Sequence, residues 1–137
     1  MKITIINGPN LNLLGKREPS VYGTEAFETF LETLRKKFPD HEFTYHQSNV
    51  EGELVTFIQL ADGADGIILN SGAYTHTSLA IADAIAAIHT PVVEVHISNV
   101  FAREDFRHVS YSGAKCIGSV SGLGLKGYEL AINYFIA

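Results

Sequence analysis

Short apolar runs alternating with helix-period segments constrain this chain more than any other feature. Gly66–Asn70 (G-I-I-L-N) is unbroken apolar up to its last residue, the pattern of a strand covered on both faces. Residues 3–6 form a similar short apolar run, and Glu42–Gln47 alternates, with Phe43 and Tyr45 on one side. Segments 91–96 and 115–120 complete a set of five predicted strands. Between them the period lengthens. Over residues 25–37 the stripe Phe27, Phe30, Leu31, Leu34 and Phe38 marks one helical face, with Thr24 as N-cap, Lys36 and Lys37 in the last turn and Pro39 as a stop. Ser48 to Glu51 reads as a capping box opening a helix with Leu54, Val55, Ile58 and Ala61 inward. Segment 78–88 is an alanine-rich helix with Ile81, Ile85 and Ile88 on one stripe, and a last helix follows Gly122, Gly124 and Gly127.

Strands alternating with helices imply right-handed crossovers and a parallel sheet covered on both faces. The expectation is one α/β domain over residues 1–137, a flavodoxin-like three-layer sandwich with a five-stranded parallel sheet of order 2-1-3-4-5. Its ligand crevice lies outside the carboxyl ends of strands 1 and 3, where the order reverses.

Composition narrows the partners. At 137 residues, 46% apolar and 18% charged, the chain is globular and long enough for a substantial core. A formal charge of −5 with no run of Lys or Arg argues against a nucleic-acid surface. No apolar run reaches the ~18 residues of a membrane span, and Asn7-Gly8-Pro9 interrupts any signal-peptide core. The single cysteine, Cys116, excludes an intramolecular disulfide and reads as a buried, inert thiol. A cytoplasmic protein is expected.

Residues 7–23 carry no consistent period and hold Gly8, Pro9, Gly15, Pro19 and Gly23. A loop this long is either an ordinary surface connection or a functional element. The polar residues worth naming lie just past strand ends: Asn10, Arg17 and Tyr22 after strand 1, Asn70 and His76 after strand 3, His96 and Ser98 after strand 4. Glu94 and His96, two apart in a strand, share a face, so the carboxylate can keep the imidazole cationic and suited to general acid work. Histidines 76, 89 and 96 with Glu94 show no recognised metal-ligand spacing, so no metal is expected. Gly122, Gly124 and Gly127 spell G-x-G-x-x-G in the last unit rather than the first, which favours a glycine-cushioned helix over a dinucleotide site. Arg17 and Tyr22 make the sharper case. A phenol (pKa ~10) acting as a base at neutral pH needs its pKa lowered by roughly 3 units, about 4 kcal/mol. A desolvated guanidinium is the group able to supply that. Tyrosine as base, histidine as acid and arginine as phenolate stabiliser describe elimination of water beside a carbonyl.

Four segments carry a resemblance: N-G-P-N-L-N-L-L-G-K-R-E-P-S-V-Y-G (7–23), N-S-G-A-Y-T-H-T-S (70–78), E-V-H-I-S-N-V-F-A-R-E-D-F-R (94–107) and G-L-G-L-K-G-Y (122–128). In order and spacing they resemble the type II 3-dehydroquinate dehydratases across essentially the whole chain. The resemblance implies anti elimination of water from 3-dehydroquinate, giving 3-dehydroshikimate through an enolate, the third step of the shikimate pathway. It implies Tyr22 as the base, Arg17 as the group keeping it ionised, His96 as the acid and Glu94 as its orienting partner. Asn10 would hold the water that stabilises the enolate oxygen. Asn70, His76 and Arg107 would bind substrate hydroxyls, Ile97 and Ser98 the carboxylate, and Asp83 would reach the site of a neighbouring subunit in a dodecamer of trimers. No metal or organic cofactor is implied. The sequence departs from the commonest family pattern at Ser71 and Phe101. A flavin- or nucleotide-binding protein would use the same rim but needs a Ser/Thr-rich phosphate cradle that the first loop lacks. A non-catalytic interaction domain would leave Arg17, Tyr22 and His96 replaceable.

Overall fold

The computed structural model describes residues 1–16, 20 and 25–137. Its sheet is five-stranded and parallel, in the order β2-β1-β3-β4-β5. The strands are β1 (Lys2–Asn7), β2 (Glu42–Gln47), β3 (Gly66–Asn70), β4 (Val92–His96) and β5 (Gly118–Ser121). The helices are α1 (Phe27–Lys37), α2 (Glu51–Leu60), α3 (Leu79–Ala87) and α4 (Lys126–Ile136). The flavodoxin-like arrangement and strand order expected from the alternation are both present.

Register explains the two layers. Ile5 lies level with Ile68, and Ile68 with Val93, so one face of the sheet is a row of branched side chains. That face packs under α1 and α4, through Phe27, Phe30, Leu34, Tyr128 and Ile132. The residues between them, Ile6, Ile67, Leu69 and Val92, point the other way, onto Leu54, Ile58, Ile81 and Ile85 of α2 and α3. A strand covered on both faces has no polar side to give away, so the central strands read as continuous apolar runs. Among the described residues no helix is long and apolar enough to cross a membrane.

Several boundaries differ from the sequence reading. Helix α1 starts at Phe27 behind Ala26, which offers no side-chain cap, and Thr24 lies outside the described residues. Ser48 does not form the expected box with Glu51. Helix α2 is preceded by Val50, whose N–H donates to Ser48 Oγ at 2.9 Å, while that hydroxyl donates to Glu53 at 2.5 Å. A 3-10 helix over Gly72–His76 follows β3. The irregular stretch 99–111 holds two short 3-10 turns, Val100–Ala102 and Asp105–His108.

The largest shift is at β5, expected over 115–120. Gly113–Lys115 is instead a 3-10 turn, and pairing with β4 opens where Ile117 N–H meets the Val92 carbonyl at 2.9 Å. Cys116 is half-buried there, and burial, aided by the nearby Glu94 carboxylate, pushes its thiol up to about 12, so it is inert as expected. Gly127 faces the sheet, where a Cβ would come within 3.2 Å of Val95, so the third glycine of the G-x-G-x-x-G run serves helix packing.

Gly8 fixes the exit from β1. Its N–H donates to the Asn70 carbonyl at 2.7 Å, and a Cβ there would sit 2.6 Å from the Ser71 carbonyl oxygen. That oxygen belongs to backbone and cannot rotate away. Gly8→Ala is therefore expected to cost about 1–3 kcal/mol, read as a Tm drop of roughly 3–10 °C. Gly52→Ala, in α2 with nothing within 4 Å of the added methyl, should raise Tm slightly instead. Equal shifts in the two variants would refute the close-approach argument.

Candidate active site

The carboxyl ends of β1, β3 and β4 finish in Asn7, Asn70 and His96, with Asn7 and Asn70 level in register. Over these ends lies a cavity whose lining includes Asn10, Asn70, His76, His96, Ile97 and Ser98. Arg103 and Arg107 close its outer rim. Six of the predicted site residues are thus joined by a seventh, Arg107, in one space. Asp83 is exposed on α3 and does not line it. Arg17 and Tyr22 lie outside the described residues.

Glu94 and His96 share a face of β4 as their spacing predicts. His96 Nε2 is 2.6 Å from Glu94 Oε1, with both residues buried. The other oxygen, Oε2, accepts from the hydroxyls of Ser110 and Ser112, each at 2.7 Å. Burial alone would raise the Glu94 pKa, but bonds from His96, Ser112 and Ser110 outweigh it and hold the carboxyl below its usual range.

His76 follows different logic. Its Nδ1 lies 2.7 Å from the Val109 carbonyl, which only accepts, so the proton sits on Nδ1 and Nε2 keeps a lone pair. Burial pushes its pKa down, and the neighbouring His96 and Arg107 push it further, against the opposing pull of that carbonyl. The two imidazoles are near-parallel, 6.3 Å between centroids. The two rings therefore have different partners, a carboxylate for His96 and a backbone carbonyl for His76.

Asn70 is held from beneath. Its Nδ2 donates to the Tyr128 hydroxyl at 3.0 Å, and its Oδ1 accepts the Gly72 N–H at 3.2 Å. Tyr128, fully buried, donates in turn to Asn7 Oδ1 at 2.7 Å. Gly72 has φ +60 and a Cβ would meet the Pro9 carbonyl at 3.1 Å, so the turn that presents its N–H to Asn70 favours glycine. Asn10 also sits at positive φ, and its N–H donates to Asn49 Oδ1 at 3.0 Å, pinning the first loop to the turn after β2. Leu11 and Leu14 of that loop are buried in the core beneath α1, so its first half is not a loose surface connection.

Sequence reasoning missed Arg103. Its Nη1 donates to Ser98 Oγ at 3.3 Å, and both Arg103 and Arg107 lie against Glu104, Arg107 through a 2.6 Å bond. The R-x-x-x-R spacing across consecutive turns was the available signal. It was obscured because segment 99–111 has no period from which to assign a face. Two guanidiniums on one rim make a site suited to an organic anion. Among the described residues no group of three or more His, Cys, Asp or Glu could hold a metal ion.

Known proteins agree with this geometry. The family model described as dehydroquinase class II matches residues 1–136. The chain is 54% identical to the 3-dehydroquinate dehydratase of Fusobacterium nucleatum, over 99% of this chain and 97% of that protein. It is 55% identical to the enzyme of the same name from an Exiguobacterium strain, over 99% of this chain and 94% of that one. Among solved structures, the type II dehydroquinase of Butyrivibrio crossotus superposes with a TM-score of 0.96 at 47% identity, covering 100% of this chain and 98% of that one. A chain matched over this length, with a buried acid pair under an anion-suited rim, belongs to the class II dehydroquinase family, the dehydratases of the shikimate pathway.

Proposed function

We propose that this cavity dehydrates 3-dehydroquinate to 3-dehydroshikimate by an anti elimination that passes through an enolate. The observation that carries the reading is the His96–Glu94 pair, buried at 2.6 Å and opening onto a cavity rimmed by Arg103 and Arg107. Tyr22, ionised beside Arg17, takes the proton from the carbon next to the ketone. Electron density passes to the ketone oxygen, where a water held by Asn10 stabilises the negative charge. As the enolate collapses, the carbon–oxygen bond breaks and His96 gives its proton to the departing hydroxyl, which leaves as water. One proton is taken and one is given, so the cycle closes when solvent returns Tyr22 and His96 to their starting states.

Binding is assigned to the same lining. The His96 carbonyl accepts from Gly122 N–H at 3.2 Å and the Ile97 carbonyl from Gly124 N–H at 3.0 Å. With those oxygens tied toward the β5–α4 turn, the N–H groups across the same peptide planes, those of Ile97 and Ser98, are assigned to the substrate carboxylate. Arg107, Asn70 and the lone pair of His76 Nε2 are assigned to its hydroxyls. The unit of catalysis is a single domain over residues 1–137, acting in the cytoplasm without metal or organic cofactor. It assembles as trimers grouped into a dodecamer, in which Asp83 approaches a neighbour's site.

The test is direct. Purified chain mixed with 3-dehydroquinate at neutral pH should generate the conjugated enone of the product, followed by its ultraviolet absorbance, while size exclusion with mass detection reports the assembly. A flat absorbance trace at micromolar enzyme would end the dehydratase reading.

A further inference from the structure

We propose that Ser110 and Ser112 are positioning residues that clamp one oxygen of Glu94 so that its other oxygen stays on His96. The proposal rests on His96 acting as the acid of the dehydration assigned above. Glu94 divides its acceptor capacity cleanly, with Oε1 toward His96 and Oε2 receiving both serine hydroxyls at 2.7 Å. The direction of the serine protons follows from their partners. Ser110 Oγ accepts the Gly113 N–H at 2.8 Å, so its own proton is free to point at Glu94. Ser112 is 1% exposed and has no solvent to turn toward. Backbone is shaped around the pair, since a Cβ on Gly113 would lie 2.8 Å from Ser110 Oγ and 3.2 Å from Glu94 Oε2.

Two donors on one oxygen select the ionised carboxylate. A proton on Oε2 would compete with both serine donations, whereas the charged form keeps them. The clamp also removes a rotation. Without it Glu94 is free to turn into a second cavity, which it lines together with His96, Ser119 and Ser121. The other groups around the pair do not substitute for the serines. Arg107 is bonded to Glu104, His76 is engaged by Val109, and His108 Nε2 lies 3.2 Å from the Arg103 carbonyl. Arg103 donates to Ser98, and the Cys116 thiol, kept protonated by burial, contributes no charge.

The sign of the pH effect follows. Losing the hydroxyls removes two of the donors that favour the charged form, so Glu94 takes up a proton at higher pH. The acidic limb of activity therefore moves up.

The experiment compares Ser110→Ala, Ser112→Ala and the double variant with the parent chain across the pH range of activity. Each single change should lower kcat about threefold to tenfold with KM held within about twofold, the net scale of one intramolecular hydrogen bond. The double variant should move the acidic limb up by roughly half a unit or more. Ser110→Thr, which retains a hydroxyl, should recover most of the loss. Isotope-labelled histidine NMR on the same proteins should show the His96 ring signals displaced in the double variant. A double variant with parental kcat, parental limbs and unmoved His96 ring signals would overturn the clamp. Should the double variant unfold, the half-buried Ser110→Ala change decides the matter alone. A parent chain inactive on 3-dehydroquinate would instead remove the dehydratase reading, and the His96 ring signals would still judge the clamp.

Discussion

Tyr22→Phe is expected to lower kcat by about a thousandfold or more, with KM changed only a few-fold. The phenol oxygen is the proposed base, and phenylalanine removes that oxygen while keeping the ring. General base catalysis is worth roughly 10²–10⁴ in rate. Exchange of the alpha proton with deuterated solvent, followed in the presence of substrate, isolates the step. The variant should lose exchange and turnover together. If exchange persisted at the parental rate while turnover fell, the base would be another residue and Tyr22 would act later. Full turnover in the variant would discard the assignment outright.

His96→Asn should show the second large effect, a fall in kcat of about a thousandfold. Asparagine keeps a donor for Glu94 Oε1 but has no proton to release. Removing the imidazole leaves a buried carboxylate with neutral partners, and breaking a buried ion pair completely costs about 3–5 kcal/mol. Ser110 and Ser112 still hold Oε2, so the observed loss of stability should fall below that range, as a modest drop in Tm. An analogue whose leaving group departs as fluoride needs no proton. The variant should process it within about tenfold of the parent, since only the acid step has been removed. Equal impairment on both substrates would mean that His96 serves binding or folding instead of acid catalysis.

The layers of the fold were legible because buried parallel strands have one requirement, continuous apolar surface, and Gly66–Asn70 meets it without a break. Helix faces were legible for the same reason, as Phe27, Phe30 and Leu34 are all buried where the stripe put them. Strand β5 was misplaced because its beginning is decided by Glu94. The carboxylate draws Ser110 and Ser112 inward, and the chain completes a 3-10 turn before it can join the sheet. Nothing local in residues 113–117 records that demand. Arg103 was missed because a stretch of two separate turns has no single period. The Tyr128–Asn7 bond spans 121 positions, and only the three-dimensional meeting of α4 with β1 brings the two groups together. The pairing of Glu94 with His96 was the reverse case, where two residues on one strand needed only the pleat to meet.

The interior placement of Tyr128 and Tyr45 has a spectroscopic use. The chain has six tyrosines and no tryptophan, so its near-ultraviolet absorbance is dominated by phenol side chains. Burial pushes Tyr45 up to about 12 and Tyr128 higher still, which removes both from any colour change near neutral pH. A difference spectrum of the parent against Tyr22→Phe is then read on a quieter background, and an ionised phenol at rest would be visible in it before any substrate is added.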